Sequence, residues 1–303
     1  MTEHSDYRHP ERFLGLDDDS SQQESSAVWV LPVPLEMTTS YMGGTRFGPA
    51  AIIEASNQVE LYDAYVGSEA ALDYGVYTLP TLHAELASAQ GAVESIQRAV
   101  AALPLKDRLL VTLGGEHSLT PGVVAALAPR YDNMLIVQID AHADLRDSFD
   151  GTPWSHACAM RRCLDYASIL QFGIRSVCQE EVTFAQATDR VRTWTAESLW
   201  RDRSKSYLGA LQQAVSGRTV YLTIDLDGLD PSIIPATGTP EPGGIGWYDT
   251  VEIIQTVALH SNVIAFDCVE LAPIPGGHAS AFAAAKLVYM TMNAIIKARN
   301  SLA

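Results

Sequence analysis

The chain has 303 residues, 47% of them hydrophobic and 18% charged, and a formal net charge of −16. Those proportions belong to a globular enzyme and not to a disordered chain, and the length allows one large α/β domain or two smaller ones. So acidic a surface, whose densest basic pair is Arg161 with Arg162, excludes nucleic acid and an anionic membrane surface as partners.

Residues 1–26 are polar and acidic and lack the basic and apolar regions of a signal peptide. They read as a mobile or surface-draped arm ahead of a single domain over 27–303. No apolar run approaches the ~20 residues that cross a bilayer. Cys158, Cys163, Cys178 and Cys268 have no C-x-x-C spacing. They read as reduced thiols, and a cytoplasmic location is expected.

From Ala27 onward, short apolar runs rich in β-branched residues fall at 28–33, 109–113, 134–139, 169–174, 219–224 and 263–266. These read as strands, with weaker candidates at 75–79 and 190–194. Helical spacing fills 84–103, 121–128, 196–215, 248–259 and 281–297. Ser118 or Thr120 followed by Pro121 is a good helix start, a cap and then a proline whose missing N–H costs nothing there. Strands alternating with helices imply a mainly parallel sheet covered on both faces. Several runs are almost continuously apolar, as burial on both faces requires.

In open parallel sheets, sites form beyond the carboxyl ends of the strands. After 109–113 comes "GGEHS", with His117; after 134–139 come Asp140, His142 and Asp144. After 219–224 come Asp225 and Asp227, and after 263–266 comes Glu270. Taken singly, a strand-end aspartate is usually a turn residue, as Asp230 before Pro231 is expected to be. Together, two D-x-[DH] pairs and a further histidine converge on one edge. Four aspartates and two histidines are too many and too hard for a single zinc ion, and four crowded carboxylates repel unless cations balance them. Two divalent ions bridged by aspartates fit. Oxygen and imidazole donors suit Mn²⁺, with iron, cobalt or nickel as alternatives. Such a pair delivers hydroxide at neutral pH, so the reaction class is hydrolysis. No phosphate-binding loop or Arg cluster favours phosphoryl transfer.

The segments "GGEHS", "DAHAD" and "IDLDGLDPSIIPATGTPEPGG" together resemble the signatures of the ureohydrolase family, the arginases and agmatinases. The likeness extends from about Pro32 to the C-terminus. It implies a three-layer α/β/α fold with a central, mainly parallel, eight-stranded sheet, and two Mn²⁺ per chain. By the same resemblance His117, Asp140, Asp144 and Asp225 would hold one ion, and Asp140, His142, Asp225 and Asp227 the other. Asp140 and Asp225 would bridge, and Asp144 would also orient the attacking hydroxide. His156, in "WSHAC", matches the family's proton shuttle. Glu270 matches the carboxylate that pairs with the substrate guanidinium, and Thr239 would line the pocket. A homotrimer or homohexamer is implied as well.

The stretch "LRDSFDGTPWS" between Asp144 and His156 lacks the Asn- and Ser-containing pattern with which arginases bind an α-carboxylate. It resembles agmatinases, so the expected reaction is agmatine to putrescine plus urea, with Asp147 and Asp150 at the substrate's far end. The alternatives are guanidinobutyrate, guanidine, formiminoglutamate and arginine. Ala50 and Ile53 stand where the family usually has arginines. Outside this group, a one-metal zinc deacetylase is disfavoured by His117 and the complete second D-x-D pair. An inactive metal-binding regulator is disfavoured because no catalytic residue is missing.

Overall fold

The computed structural model describes residue 9 and residues 11–302, with the side chain of Leu302 excluded. In chain order it runs β1 (Val28–Val33), α1 (Gly48–Ser56), α2 (Ala70–Tyr74), β2 (Val76–Thr78), α3 (Ala89–Ala101), β3 (Leu109–Gly114), α4 (Thr120–Leu127) and β4 (Met134–Ile139). Then follow α5 (Ala159–Cys163), β5 (Ser168–Ile174), α6 (Gln179–Ala187), β6 (Val191–Thr195), α7 (Ala196–Arg201) and α8 (Ser206–Val215). The chain finishes with β7 (Thr219–Asp225), α9 (Trp247–His260), β8 (Asn262–Val269) and α10 (His278–Leu302).

The strands form one eight-stranded sheet in the order β2-β1-β3-β8-β7-β4-β5-β6, and every pairing is parallel. All residues of β1, β3 and β4 are buried, which is why their sequences do not alternate. Successive side chains point to opposite faces. Val28 and Val30 belong to the same core cluster as Ile52 of α1, Leu211 of α8, Ile254 of α9 and Leu287 of α10. Trp29 and Leu31 belong to the cluster on the opposite face, with Ile96 of α3, Val123 of α4 and Met160 of α5. The result is the three-layer α/β/α arrangement expected.

Three expectations change. Helical spacing across 196–215 is divided between α7 and α8. Lys205 takes φ 53°, and the Asp202 carboxylate accepts from Ser206 Oγ at 2.7 Å and from the Tyr207 N–H at 3.2 Å, starting a new helix. Residues 11–26 are fastened to the body by Phe13, Leu14 and Leu16, all buried. The Phe13 and Leu14 N–H groups donate to Thr78 Oγ1 and Ser56 Oγ at 2.9 and 2.7 Å. Full burial of one such phenyl ring contributes on the order of 1.5–3 kcal/mol, enough to hold a polar segment. The remainder of the expected arm, residues 1–8 and 10, lies outside the described residues. Finally, a stretch of α10 is long and apolar enough to cross a membrane by length and composition. Its burial is that of a core helix, with Leu287, Tyr289 and Met292 fully buried. Ile53 is buried in the core.

Candidate active site

The four middle strands, β3, β8, β7 and β4, end together. β3 runs through a Gly-Gly pair into a 3-10 turn that begins at His117. β4 ends just before Asp140, and His142 and Asp144 follow on the next loop. β7 ends on Asp225, and Asp227 lies in the 3-10 turn Leu226–Gly228. β8 ends one residue before Glu270. The turn after β7 presses against the start of the β4 loop, where a Cβ at Gly228 would stand 2.7 Å from Asp140 N; glycine is required by that approach. Asp144 and Glu270 take φ of 53° and 67°, a left-handed backbone that non-glycine residues adopt at a cost and that clusters at functional sites.

His117 Nδ1 lies 3.2 Å from Asp140 Oδ2, 3.0 Å from Asp144 Oδ2 and 3.3 Å from Asp225 Oδ2. It is in hydrogen-bond geometry with none of them, so one nitrogen and three oxygens face a common point. His117 Nε2 is 2.9 Å from Thr223 Oγ1, an arrangement that reserves Nδ1 as the ligand atom. His142 Nδ1 lies 3.1 Å from Asp227 Oδ2 and 3.7 Å from Asp140 Oδ1. His117, Asp140 and Asp144 form one group able to hold a metal ion, and Asp140, His142 and Asp227 a second. Asp140 belongs to both.

Charge crowding agrees with that reading. Burial raises Asp225 well above the usual carboxylate range, and the charges of Asp227 and Asp140 add to it. Burial and the Asp140 charge raise Asp144 likewise. Burial would lower the two imidazoles, but their carboxylate neighbours more than reverse this; His117 is raised well above its ordinary value and His142 is pushed up to about 12. Buried carboxylates in this number call for cations beside them, and the donor set fits divalent ions bound through oxygen and imidazole.

Above the ligands is a cavity lined by Thr39, Ser40, Tyr41, Met42, His117, His142, Asp144, His156, Asp225, Asp227, Gly238, Thr239 and Glu270. Glu270 Oε1 accepts the His117 N–H at 2.6 Å. Burial and the Glu116 charge hold Glu270 well above the usual carboxylate range, a situation that a bound cation relieves. Thr239 Oγ1 donates to Asp227 Oδ2 at 3.2 Å. Asp147 and Asp150, expected at the substrate's far end, are exposed and absent from the cavity wall. Asp147 instead pairs with Arg162 at 3.0 Å. No Lys or Arg is among the described residues that line the cavity.

A profile of the arginase family matches residues 26–293. The chain belongs to the arginase family. It is 37% identical over 290 residues to N(1)-aminopropylagmatine ureohydrolase of Synechocystis sp., with 93% of each chain covered. It is 35% identical over 259 residues to agmatinase of Bacillus cereus, covering 83% of this chain and 85% of that one. Among solved structures, agmatine ureohydrolase of Thermoplasma volcanium superposes with a TM-score of 0.83 at 29% identity, covering 94% of this chain and 95% of its own.

Within this arginase-family site, sequence reasoning missed the residues behind the ligands. Gln138 Nε2 donates to Asp140 Oδ2 at 2.7 Å. Gln171 Nε2 donates to Gln138 Oε1 at 2.7 Å, and Thr193 Oγ1 to Gln171 Oε1 at 2.8 Å. The three sit in register on β4, β5 and β6, a polar rung reaching the shared aspartate. A glutamine in the middle of an apolar strand was the available signal. Arg175 was also missed. Its guanidinium donates to the carbonyls of Asp227 at 2.6 Å and Glu241 at 2.8 Å, tying the β7 turn to the loop that carries Thr239.

Proposed function

We propose that this protein is a binuclear manganese ureohydrolase that converts agmatine to putrescine and urea. The observation that carries the reading is Asp140, shared between two metal-holding groups beneath a cavity that also contains Glu270 and His156. His117, Asp140, Asp144 and Asp225 would hold one ion and Asp140, His142, Asp225 and Asp227 the other, with Asp140 and Asp225 common to both. When bound, the ion pair lowers the pKa of a water molecule, making hydroxide available at neutral pH.

The protein's own groups do the rest. Glu270 pairs with the planar guanidinium and orients it. Asp144 accepts a hydrogen bond from the nucleophile. Attack at the guanidinium carbon gives a tetrahedral centre whose amine departs once protonated, and His156 donates that proton. Thr239 steadies Asp227 through its hydroxyl. We take 27–303 as one catalytic domain with 1–26 appended, in a cytoplasmic homotrimer or homohexamer; mass photometry tests the assembly.

The cavity wall, without Lys or Arg, supports agmatine over arginine. A carboxylate desolvated there meets hydroxyls but no Lys or Arg among the described lining residues, and an underpaired buried group costs ~1–3 kcal/mol, roughly tenfold to a hundredfold in kcat/KM. The second substrate to test is N(1)-aminopropylagmatine, named for the Synechocystis relative, which adds an aminopropyl extension to the same guanidino group. Urea release from agmatine, aminopropylagmatine, arginine, guanidinobutyrate, guanidine and formiminoglutamate decides the matter. Agmatine is expected to lead, and equal efficiency on arginine would contradict the assignment.

A further inference from the structure

Behind His156 stands a carboxylate with no place among the metal ligands. Glu116 is fully buried, and every group hydrogen-bonded to it is a donor. The N–H groups of Met37 and Thr38 donate to Oε2 at 2.8 and 2.7 Å. The hydroxyl of Thr38 donates to Oε1 at 2.9 Å, and Ser118 Oγ donates to the same oxygen. A carboxylate offers about four lone-pair positions, and these four donors fill them.

Thr38 has a single hydroxyl hydrogen, and Glu116 holds it. Toward His156, therefore, its oxygen can only accept. It accepts the His156 backbone N–H at 3.0 Å and lies 3.2 Å from His156 Nδ1. A hydroxyl has one donor and two acceptor positions, so all three are used if Nδ1 carries a hydrogen. A bare Nδ1 would instead set lone pair against lone pair. Ser155 Oγ, 3.3 Å from the same nitrogen, is able to accept from Nδ1 or donate to it, so the choice of tautomer rests on Thr38. Phe149 packs edge-on against the ring, with centroids 6.0 Å apart.

We infer that Glu116 and Thr38 are positioning residues that hold the His156 imidazole in its Nδ1-protonated tautomer, leaving Nε2 as the nitrogen that exchanges a proton with substrate. The inference rests on the role proposed above for His156. In a neutral imidazole one nitrogen donates and the other accepts, and the partner of the first decides which. Transfer of the Nε2 proton to the departing amine returns the ring to the neutral Nδ1–H form, which the Thr38 oxygen already accommodates. "GGEHS" then has two purposes: His117 turns to the metals and Glu116 to the proton donor.

The test is kcat, KM and bound metal, measured with agmatine on Mn²⁺-loaded enzyme, for four variants and one double variant. Thr38→Val removes the hydroxyl at nearly constant shape and should lower kcat about 10- to 100-fold, with KM and bound metal within about twofold of wild type. Thr38→Ser should recover most of that turnover. Glu116→Gln sets an amide NH₂ against the hydroxyls, turning the Thr38 hydrogen toward Nδ1 and forcing the other tautomer; it should lose turnover in the same way even if the valine variant fails to fold. In a His156→Asn background, Thr38→Val should cost nothing further, because residues acting as a unit are not additive. Wild-type turnover in Glu116→Gln, or an equal loss from Thr38→Val in both backgrounds, overturns the inference. A His156→Asn enzyme with unchanged turnover gives a different result: it removes His156 from the reaction, and the relay with it.

Discussion

The floor of the cavity and its mouth are built in opposite ways. On the floor, every candidate metal ligand comes from the end of β3, β4 or β7, held by strands whose residues are buried throughout those ends. At the mouth, Tyr41 and Met42, His156, and Gly238 with Thr239 come from three separate loops. Tyr41 and Met42 are exposed, at 75% and 55%, whereas Asp140 is fully buried. The floor is buried and charged, suited to holding ions; the mouth is more exposed and mostly uncharged, suited to admitting a flexible tail. Metal holding and substrate choice are therefore expected to sit on different parts of the fold, with the proposed proton donor His156 between them, and should respond separately to mutation.

The largest expected effect lies at the floor. Asp140→Asn removes the carboxylate common to both metal groups. It should reduce bound metal and lower kcat/KM by more than the roughly 10²–10³-fold that loss of one electrostatic stabiliser costs. Metal analysis on the purified variant checks this, and full occupancy with normal turnover would erase the floor's special status. Next is Glu270→Gln, which joins floor to mouth. It should leave metal content unchanged but deprive the guanidinium of its partner, at about 2–5 kcal/mol, measured as ΔΔG‡ from kcat/KM.

Behind the floor, Gln138→Leu takes away the 2.7 Å hydrogen bond to Asp140. Groups that orient ligands in this way are worth about 10–100-fold in metal affinity, which titration against a competing chelator reads directly. The smallest effect is expected just outside the mouth. Asp147→Asn and Asp150→Asn change exposed carboxylates away from the cavity wall, so kcat/KM for agmatine should stay within about twofold, in line with the ±0.5 kcal/mol typical of surface changes. A tenfold rise in KM would place them at the substrate's tail after all.

The same contrast explains what the sequence revealed. The sheet was legible because buried parallel strands write themselves as unbroken apolar runs, and Met134–Ile139 needed no adjustment. The candidate ligands could be picked out because Asp140, His142 and Asp144, or Asp225 and Asp227, sit two apart directly after a strand. α1 and α6 were missed, since neither carries a strong apolar stripe between its polar positions. Asp147 and Asp150 were misplaced for a related reason. Closeness in sequence to Asp144 implies nothing about direction once the chain leaves the strand, and Arg162 draws Asp147 to the outside. The contact of Thr38 with His156 spans 118 positions, a separation over which no periodic pattern carries information.

The expected mutational effects follow from a two-metal floor organised around one shared aspartate, Asp140. Chelator-stripped protein titrated with Mn²⁺, with bound metal and urea release from agmatine followed in the same samples, tests it most directly. Saturation at two ions per chain is expected, with full activity reached only as the second ion binds. Saturation at one ion per chain with full urea release would contradict it.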